Sequence, residues 1–345
     1  MKKRLFCLCL ALMMSFLLPA CGGEEPETTE GEVFVPLLRF VVEEGSEGSV
    51  RLFSCPESDG FFYLHPAPEG GFSGGFLSTS RSISSESVVK ETATLSFAAM
   101  RENGVDRATM VSDAGITNLL LKQNVSETRP MPEGIDLSGG LYYDELTLLG
   151  ETEELLVLCP VDLSETYVLA EKKKLAEFAE PLLVAGDAER VYYALKGEGA
   201  AFGGIAYFEP GKDDPRGVEH FPFDSFQRIG TDGALFCRAL EDGGMLYLYR
   251  NFAKGAGGSF VADRPFDGVT CSEDGTVLVG AYSGDGEGTV VVCDLASGKE
   301  RGRYVSELGA PCPSMALSPD GKTLLLALVA GGEEVLGILD LERIG

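Results

Sequence analysis

Gly71-Phe72-Ser73-Gly74-Gly75 carries the spacing G-x-S-x-G. In a nucleophile elbow that spacing sets a serine on a strained strand-to-helix turn and exposes its hydroxyl for acyl transfer. Here "HPAPEG" leads into the stretch and Gly74 is followed by a further glycine, so the sequence predicts a flexible surface loop and no catalysis at Ser73. Acid–base or metal chemistry would need His65 or His220, the two histidines of the chain. Both stand beside prolines and aromatics, in "YLHPAP" and "EHFPFDSF", with no second histidine at ligand spacing, and surface packing is the expected role. With 54 Asp and Glu residues, spacing alone cannot single out a general-acid pair. Asp213-Asp214 and Asp285-Glu287 lie in Gly- or Pro-bearing turns, whose chemistry accounts for them without calcium. No metal, cofactor or catalytic residue is assigned.

Cys21 offers a different chemistry. Lys2, Lys3 and Arg4 precede an uncharged apolar run from Leu5 to Leu18. A run of about 14 residues is shorter than the roughly 20 a spanning helix needs, and it suits the h-region of an export signal. Its end, Leu18-Pro19-Ala20-Cys21, resembles the lipobox of bacterial lipoprotein precursors, although Pro19 departs from the small or aliphatic residue usual there. The resemblance implies a diacylglycerol on the Cys21 thiol and cleavage after residue 20. Two or three acyl chains, at about 0.8 kcal/mol per buried CH₂, anchor firmly. Residues 1–20 are read as the signal peptide. Residues 21–32, containing "GGEEPETTEGE", are read as an acidic flexible tether with nothing apolar to bury. The expected location is the extracytoplasmic face of a cell membrane, and the expected membrane contact is the lipid.

The formal net charge of −26 becomes −29 when the three cations of the signal are removed. Nucleic acid and anionic lipid are poor partners for such a chain, because both require clustered Lys and Arg. Of the nine cysteines, Cys55, Cys159, Cys237, Cys271, Cys293 and Cys312 stay in the body, and no C-x-x-C occurs. They permit up to three disulfides, but several sit in apolar strand-like runs ("GALFC", "TVVVC", "LLVLC") where cysteine acts as a small hydrophobe. Mostly free, buried thiols are expected.

The elements that must position these residues are repetitive. "CSEDGTVLVGAYSGDGEGTVVVCDL" from Cys271 aligns without gaps on "LSPDGKTLLLALVAGGEEVLGILDL" from Leu317 at an offset of 46 residues. The offset matches Ser272 with Ser318, Asp274 with Asp320, Gly275 with Gly321, Asp294 with Asp340 and Leu295 with Leu341. Each unit reads as a short apolar strand, an Asp-Gly hairpin turn, an apolar strand, a Gly-rich turn and a strand closing in Asp-Leu. Looser copies surround Asp232 and Asp187 and begin again at Gly150, and the turn aspartates 187, 232 and 274 stand 45 and 42 residues apart. That period is the one expected of propeller blades, which bury their faces only against neighbours in a ring.

"SPDGKTLLLAL" with "LDL", and "SEDGTVLVGAY" with "CDLASGKE", resemble the WD40-like repeats of TolB-type and YVTN-type bacterial β-propellers. The likeness covers about residues 180–345 and implies a disc with loops on both faces, without fixing an activity. The expected body, residues 33–345, is an all-β propeller of about seven four-stranded blades, with six or eight open because residues 81–134 read ambiguously. "EVFVPLLRFVV" is expected to close the ring as the fourth strand of the last blade. "TATLSFAAMREN" fits strand or short helix, and "KKKLAEFAE" fits one helical turn.

Quinoprotein dehydrogenases are excluded by the absence of tryptophan, and a prolyl-peptidase arrangement would need a hydrolase domain for which no residues remain. A lactonase- or hydrolase-type enzyme with its site in the central funnel stays open. The favoured reading is a non-catalytic binding or scaffolding module with a monomeric body and a protein or envelope partner. "SDGFFYLHPAPEGGFSGGF" and "YFEPGKDDPRGVEHFPFDSF" combine aromatics, proline and charge, as ligand-contacting loops or long exposed connections do.

Overall fold

The computed structural model describes residues 28–29, 33–41, 50–55, 60–66, 72–78, 87–89, 94–100, 105–112, 115–120, 125–130, 141–147, 154–160, 166–170, 173–178, 182–186, 190–197, 202–209, 217–230, 232–284 and 288–344, with backbone alone for the strands between Ser87 and Phe178. Apart from one 3-10 turn at Leu341–Arg343, every described regular element is a strand.

The chain first forms two rim strands, β1 (Thr28–Thr29) and β2 (Phe34–Val41). Seven antiparallel blades follow in order. Blade 1 holds β3 (Arg51–Cys55), β4 (Gly60–Pro66), β5 (Phe72–Ser78) and β6 (Ser87–Val89). Blade 2 holds β7 (Thr94–Met100), β8 (Val105–Ser112), β9 (Gly115–Leu120) and β10 (Val125–Arg129). Blade 3 holds β11 (Leu141–Thr147), β12 (Glu154–Pro160), β13 (Thr166–Ala170) and β14 (Lys173–Phe178). Blade 4 holds β15 (Leu182–Gly186), β16 (Val191–Lys196), β17 (Phe202–Phe208) and β18 (Gly217–Phe223). Blade 5 holds β19 (Ser225–Ile229), β20 (Gly233–Ala239), β21 (Met245–Asn251) and β22 (Gly257–Ala262). Blade 6 holds β23 (Gly268–Cys271), β24 (Val277–Ser283), β25 (Gly288–Asp294) and β26 (Lys299–Ser306). Blade 7 contributes β27 (Ala310–Leu317), β28 (Thr323–Ala330) and β29 (Glu333–Asp340), and takes β2 as its fourth strand.

The protein is thus an all-β propeller of seven blades. Its closure is the pairing of β2 with β29, from Phe34 opposite Leu339 to Val41 opposite Glu333. Joining the two ends of the chain in one sheet removes the open edge a linear array would leave. Phe34 is buried and lies over Gly337, where any Cβ would collide with its ring.

Burial explains the apolar runs. Val290, Val291, Val292 and Cys293 are at most 3% exposed, and Leu324 to Leu328 are fully buried, because a middle strand of a blade is covered on both faces by its neighbours. Outer β26 instead alternates, with Lys299, Arg301 and Arg303 outward and Gly302, Tyr304 and Ser306 inward. Blade 6 packs on blade 7 through Val279, Val292, Phe34 and Leu326, and blade 7 on blade 1 through Leu325, Leu336, Phe61 and Tyr63. Blades 5 and 6 share Leu235, Tyr249, Leu278 and Val291, and blades 4 and 5 share Ala194, Phe223 and Phe236. Further round, β7 meets β11 and β11 meets β15.

The Asp-Gly turns differ from the two-residue hairpin expected of them. Gly275 N–H donates to the Ser272 carbonyl at 2.9 Å, so Asp274 is the third residue of a four-residue turn and Gly275, with φ +69°, its exit. Ser272 supplies the missing rung: its N–H donates to the Val277 carbonyl, and its hydroxyl accepts from Val277 N–H at 3.0 Å. At Asp232 the positive φ falls on Gly230 instead, so this copy turns differently.

Two helical alternatives give way to strands. "KKKLAEFAE" forms β14 and "TATLSFAAMREN" forms β7, since pairing with β13 and β8 satisfies backbone groups that a lone helical turn would leave open. Within the segment read as tether, Thr28–Thr29 forms β1, parallel to β26 with Thr28 opposite Arg303 and Thr29 opposite Tyr304. Among the described residues no helix is long and apolar enough to cross a membrane.

Candidate functional site

Cys21, the signal segment 1–20 and the tether apart from Thr28–Thr29 lie outside the described residues, as do Asp213-Asp214, Asp285-Glu287 and the side chain of Cys159. Ser73 falls inside β5, opposite His65 on β4. This corrects the loop reading. The hairpin gives Ser73 a strand on both sides in sequence, and a nucleophile elbow would need a helix after it.

His65 is half-buried and stacks on Phe40, with ring centroids 4.2 Å apart, and the Tyr63 ring lies 6.3 Å from His65 and 5.9 Å from Phe40. His220 is exposed on β18, the outer strand of blade 4, where it pairs with Gly204. The two histidines therefore sit three blades apart and cannot share a reacting atom or metal. Among the described residues no group of three or more His, Cys, Asp or Glu side chains is placed to hold a metal ion.

In the described parts of the two aromatic-rich stretches, several of the aromatic rings are buried. Phe61 and Tyr63 are buried between blades 1 and 7, Phe62 and its cross-strand partner Phe76 are buried on the other face of blade 1, and Phe223 stacks on Phe202 at 4.9 Å and meets Phe236 edge-on. Packed rings of this kind look in sequence like a ligand-contacting loop.

Five cysteines, Cys55, Cys237, Cys271, Cys293 and Cys312, are free, and all but Cys237 are buried. Cys271 and Cys293 flank Leu278 on opposite sides of β24. With strands about 4.8 Å apart, their Cα atoms stand about 10 Å apart, beyond disulfide reach. Burial pushes the Cys271 and Cys293 thiols well up; burial, with the Glu334 charge behind it, raises Cys312 to about 12. These thiols are packing groups with almost no thiolate at neutral pH.

The one feature the sequence reading passed over lies on the rim. Lys299, Arg301 and Arg303 project from the outer strand of blade 6, beside which β1 runs. Arg301 pairs with Asp294 at 3.0 Å, and Arg303 with Glu300 through two hydrogen bonds. The alternation in "KERGR" was its signal.

No family model and no curated protein matches the chain. Among solved structures, U3-55K aligns over 90% of this chain and 99% of that one at 8% identity, with a TM-score of 0.55. The RRP9 WD40 repeats align over 92% of this chain and 99% of that one at 9% identity, with a TM-score of 0.53. At such identities the likeness is one of fold, a WD40-like propeller, reached here without tryptophan.

Proposed function

We propose that this protein is a lipid-anchored, extracytoplasmic lipoprotein whose propeller is a non-catalytic binding or scaffolding module for a protein or envelope partner. The observation that carries the reading is the fate of the hydrolase-like residues. His65 is held in an aromatic stack, Ser73 is a strand residue opposite it, and His220 belongs to a distant blade. The backbone of Ser73 is paired inside a hairpin, without the strand-to-helix turn that acyl transfer at a nucleophile elbow needs. What the rigid ring offers instead is two faces of loops, the usual place of recognition on a fixed scaffold. The anchor is supported by the lipobox resemblance at Cys21 and by the acidic, core-free stretch that follows it.

Metabolic labelling with a fatty-acid analogue, followed by cross-linking on intact cells, tests both halves. The expected result is acylation lost in Cys21→Ser, and a discrete cross-linked partner with the acylated chain. Hydrolysis of a lactone or ester panel by the purified protein, abolished in Ser73→Ala or His65→Phe, would overturn the non-catalytic half.

A further inference from the structure

Successive antiparallel strands put alternate turns at opposite ends of a blade, so the two faces of the ring carry different residues. In blades 5 to 7 one face is made by the turns 252–256, 272–276, 295–298 and 318–322. The other is made by the turns 240–244 and 331–332 and by the links 263–267 and 307–309 that lead to the next blade. On and beside the first face carboxylates are matched within the chain: Arg301 pairs with Asp294, Lys322 with Glu342 and Arg343 with Asp340. On the second, Arg39 pairs with Glu333, but Glu241, Asp263 and Glu307 are exposed and have no cationic partner among the described residues. Arg238 and Arg264 share this face without pairing with them.

The apolar side chains divide the same way. Among the described residues the exposed large hydrophobics are Val41, Val261 and Leu308, and all three stand on the second face. Val41 ends β2 opposite Glu333, Val261 is one residue from the end of β22, and Leu308 lies in the link from blade 6 to blade 7. On the same face Phe266 and Tyr282 are half-buried with ring centroids 4.8 Å apart, and the Arg264 guanidinium lies 4.1 Å over the Tyr282 ring. Ser283, next to Tyr282, donates to the Pro311 carbonyl and so joins this aromatic pair to the strand that follows Leu308. Apolar side chains gathered on one face, with rings and an arginine among them, mark an interaction surface.

We propose that this face of blades 5 to 7 docks a basic, amphipathic polypeptide. Its apolar side chains cover Val261, Phe266, Tyr282 and Leu308, and its lysines or arginines supply the countercharges that Glu241, Asp263 and Glu307 lack. In a chain of net charge −26 these unmatched carboxylates select a cationic partner over an acidic one. The proposal rests on the reading of the propeller as a binding module and adds the surface used and the chemistry of the partner.

The test uses the full chain carrying Cys21→Ser and, as probe, a labelled amphipathic peptide of about 14 leucines and lysines, titrated by fluorescence anisotropy. Combining Glu241→Gln, Asp263→Asn and Glu307→Gln is expected to weaken binding about tenfold, and Val261→Ser with Leu308→Ser about threefold. The control, Glu219→Gln with Glu300→Gln and Glu342→Gln, removes three carboxylates already paired within the chain and reaches the same net charge. It is expected to change the affinity less than about twofold. Equal weakening by the two triple variants overturns the proposal, since net charge alone would then attract the probe. Equal affinity for a peptide with serine in place of leucine overturns it too, because no apolar contact would be made. A photoreactive residue at Leu308 or at Ala296, on the opposite turn of blade 6, separates this proposal from the reading beneath it. A partner cross-linked on intact cells from position 296 and not from 308 overturns the face and leaves the binding module standing.

Discussion

Ser272 and Ser318 do the same work 46 residues apart. Each hydroxyl donates to the aspartate two residues on, at 2.6 and 2.7 Å, and accepts the N–H that would otherwise lack a rung. Asp274 illustrates the resulting electrostatics: burial alone would raise its pKa, but the Ser272 hydroxyl and the N–H and hydroxyl of Thr276 outweigh it and hold it below the ordinary value. Asp294 goes further, to about 2, because Ser297 N–H, the Arg301 guanidinium and the Ser297 hydroxyl all favour its charge. A carboxylate whose folded pKa lies below its unfolded value of about 3.9 contributes stability above that pH and loses it as pH falls toward the folded value. Denaturant midpoints should therefore fall between about pH 4 and pH 2, and Asp294→Asn should flatten that limb while lowering the neutral midpoint. A separate measurement concerns the thiols. An aromatic disulfide reagent should leave Cys271, Cys293 and Cys312 untouched in the native protein and titrate them on unfolding; rapid native labelling would contradict their burial.

At the scale of elements, the strands follow from alternation and apolar runs, but the turns and the rim do not. "SEDG" and "SPDG" announce hairpins correctly, yet the side chain of the preceding serine decides the loop, which no pairwise turn rule registers. Gly275 adds a second constraint from outside its own blade, because a Cβ there would strike the Tyr249 ring of blade 5 as well as adopt an unfavourable φ. Closure depends on β2, and Gly337→Val is the sharpest local test of it: the new side chain would drive Phe34 from its seat, at a cost of about 1–3 kcal/mol for overpacking. The midpoint of chemical unfolding should drop accordingly, while Gly331→Val, on an open turn with φ +60°, should cost less in packing. The possible helical turn at "KKKLAEFAE" shows the opposite limit: its local pattern allows a helix, and the partner strand β13 decides for β14.

For the whole molecule, stability is a property of seams. Tyr249 is buried in blade 5 and donates to the Glu273 carbonyl of blade 6 at 2.6 Å, fastening two sheets through a single hydroxyl. Tyr249→Phe should cost about 1–2 kcal/mol, since a part-buried carbonyl loses its donor, and should lower one cooperative transition rather than release a single blade. Deleting residues 33–42 is the severer experiment: with blade 7 left at three strands, loss of the entire fold is expected by circular dichroism, and a stable folded product would show that the ring closes without β2. The Asp294, Gly337 and Tyr249 effects should add, being separate contacts on different strands.

The local grammar of this protein was legible because a repeat imposes the same residues on the same tasks: the 46-residue offset, the period near 45 and the N-terminal apolar run are enough to write down a ring of blades and its closing strand. The lipobox resemblance at Cys21 is likewise a matter of sequence alone. What needed three dimensions was the use of each side chain across a seam. His65 with Phe40, and Gly275 with Tyr249, belong to different blades, and the packing of one sheet face on the next is the force that pairs them.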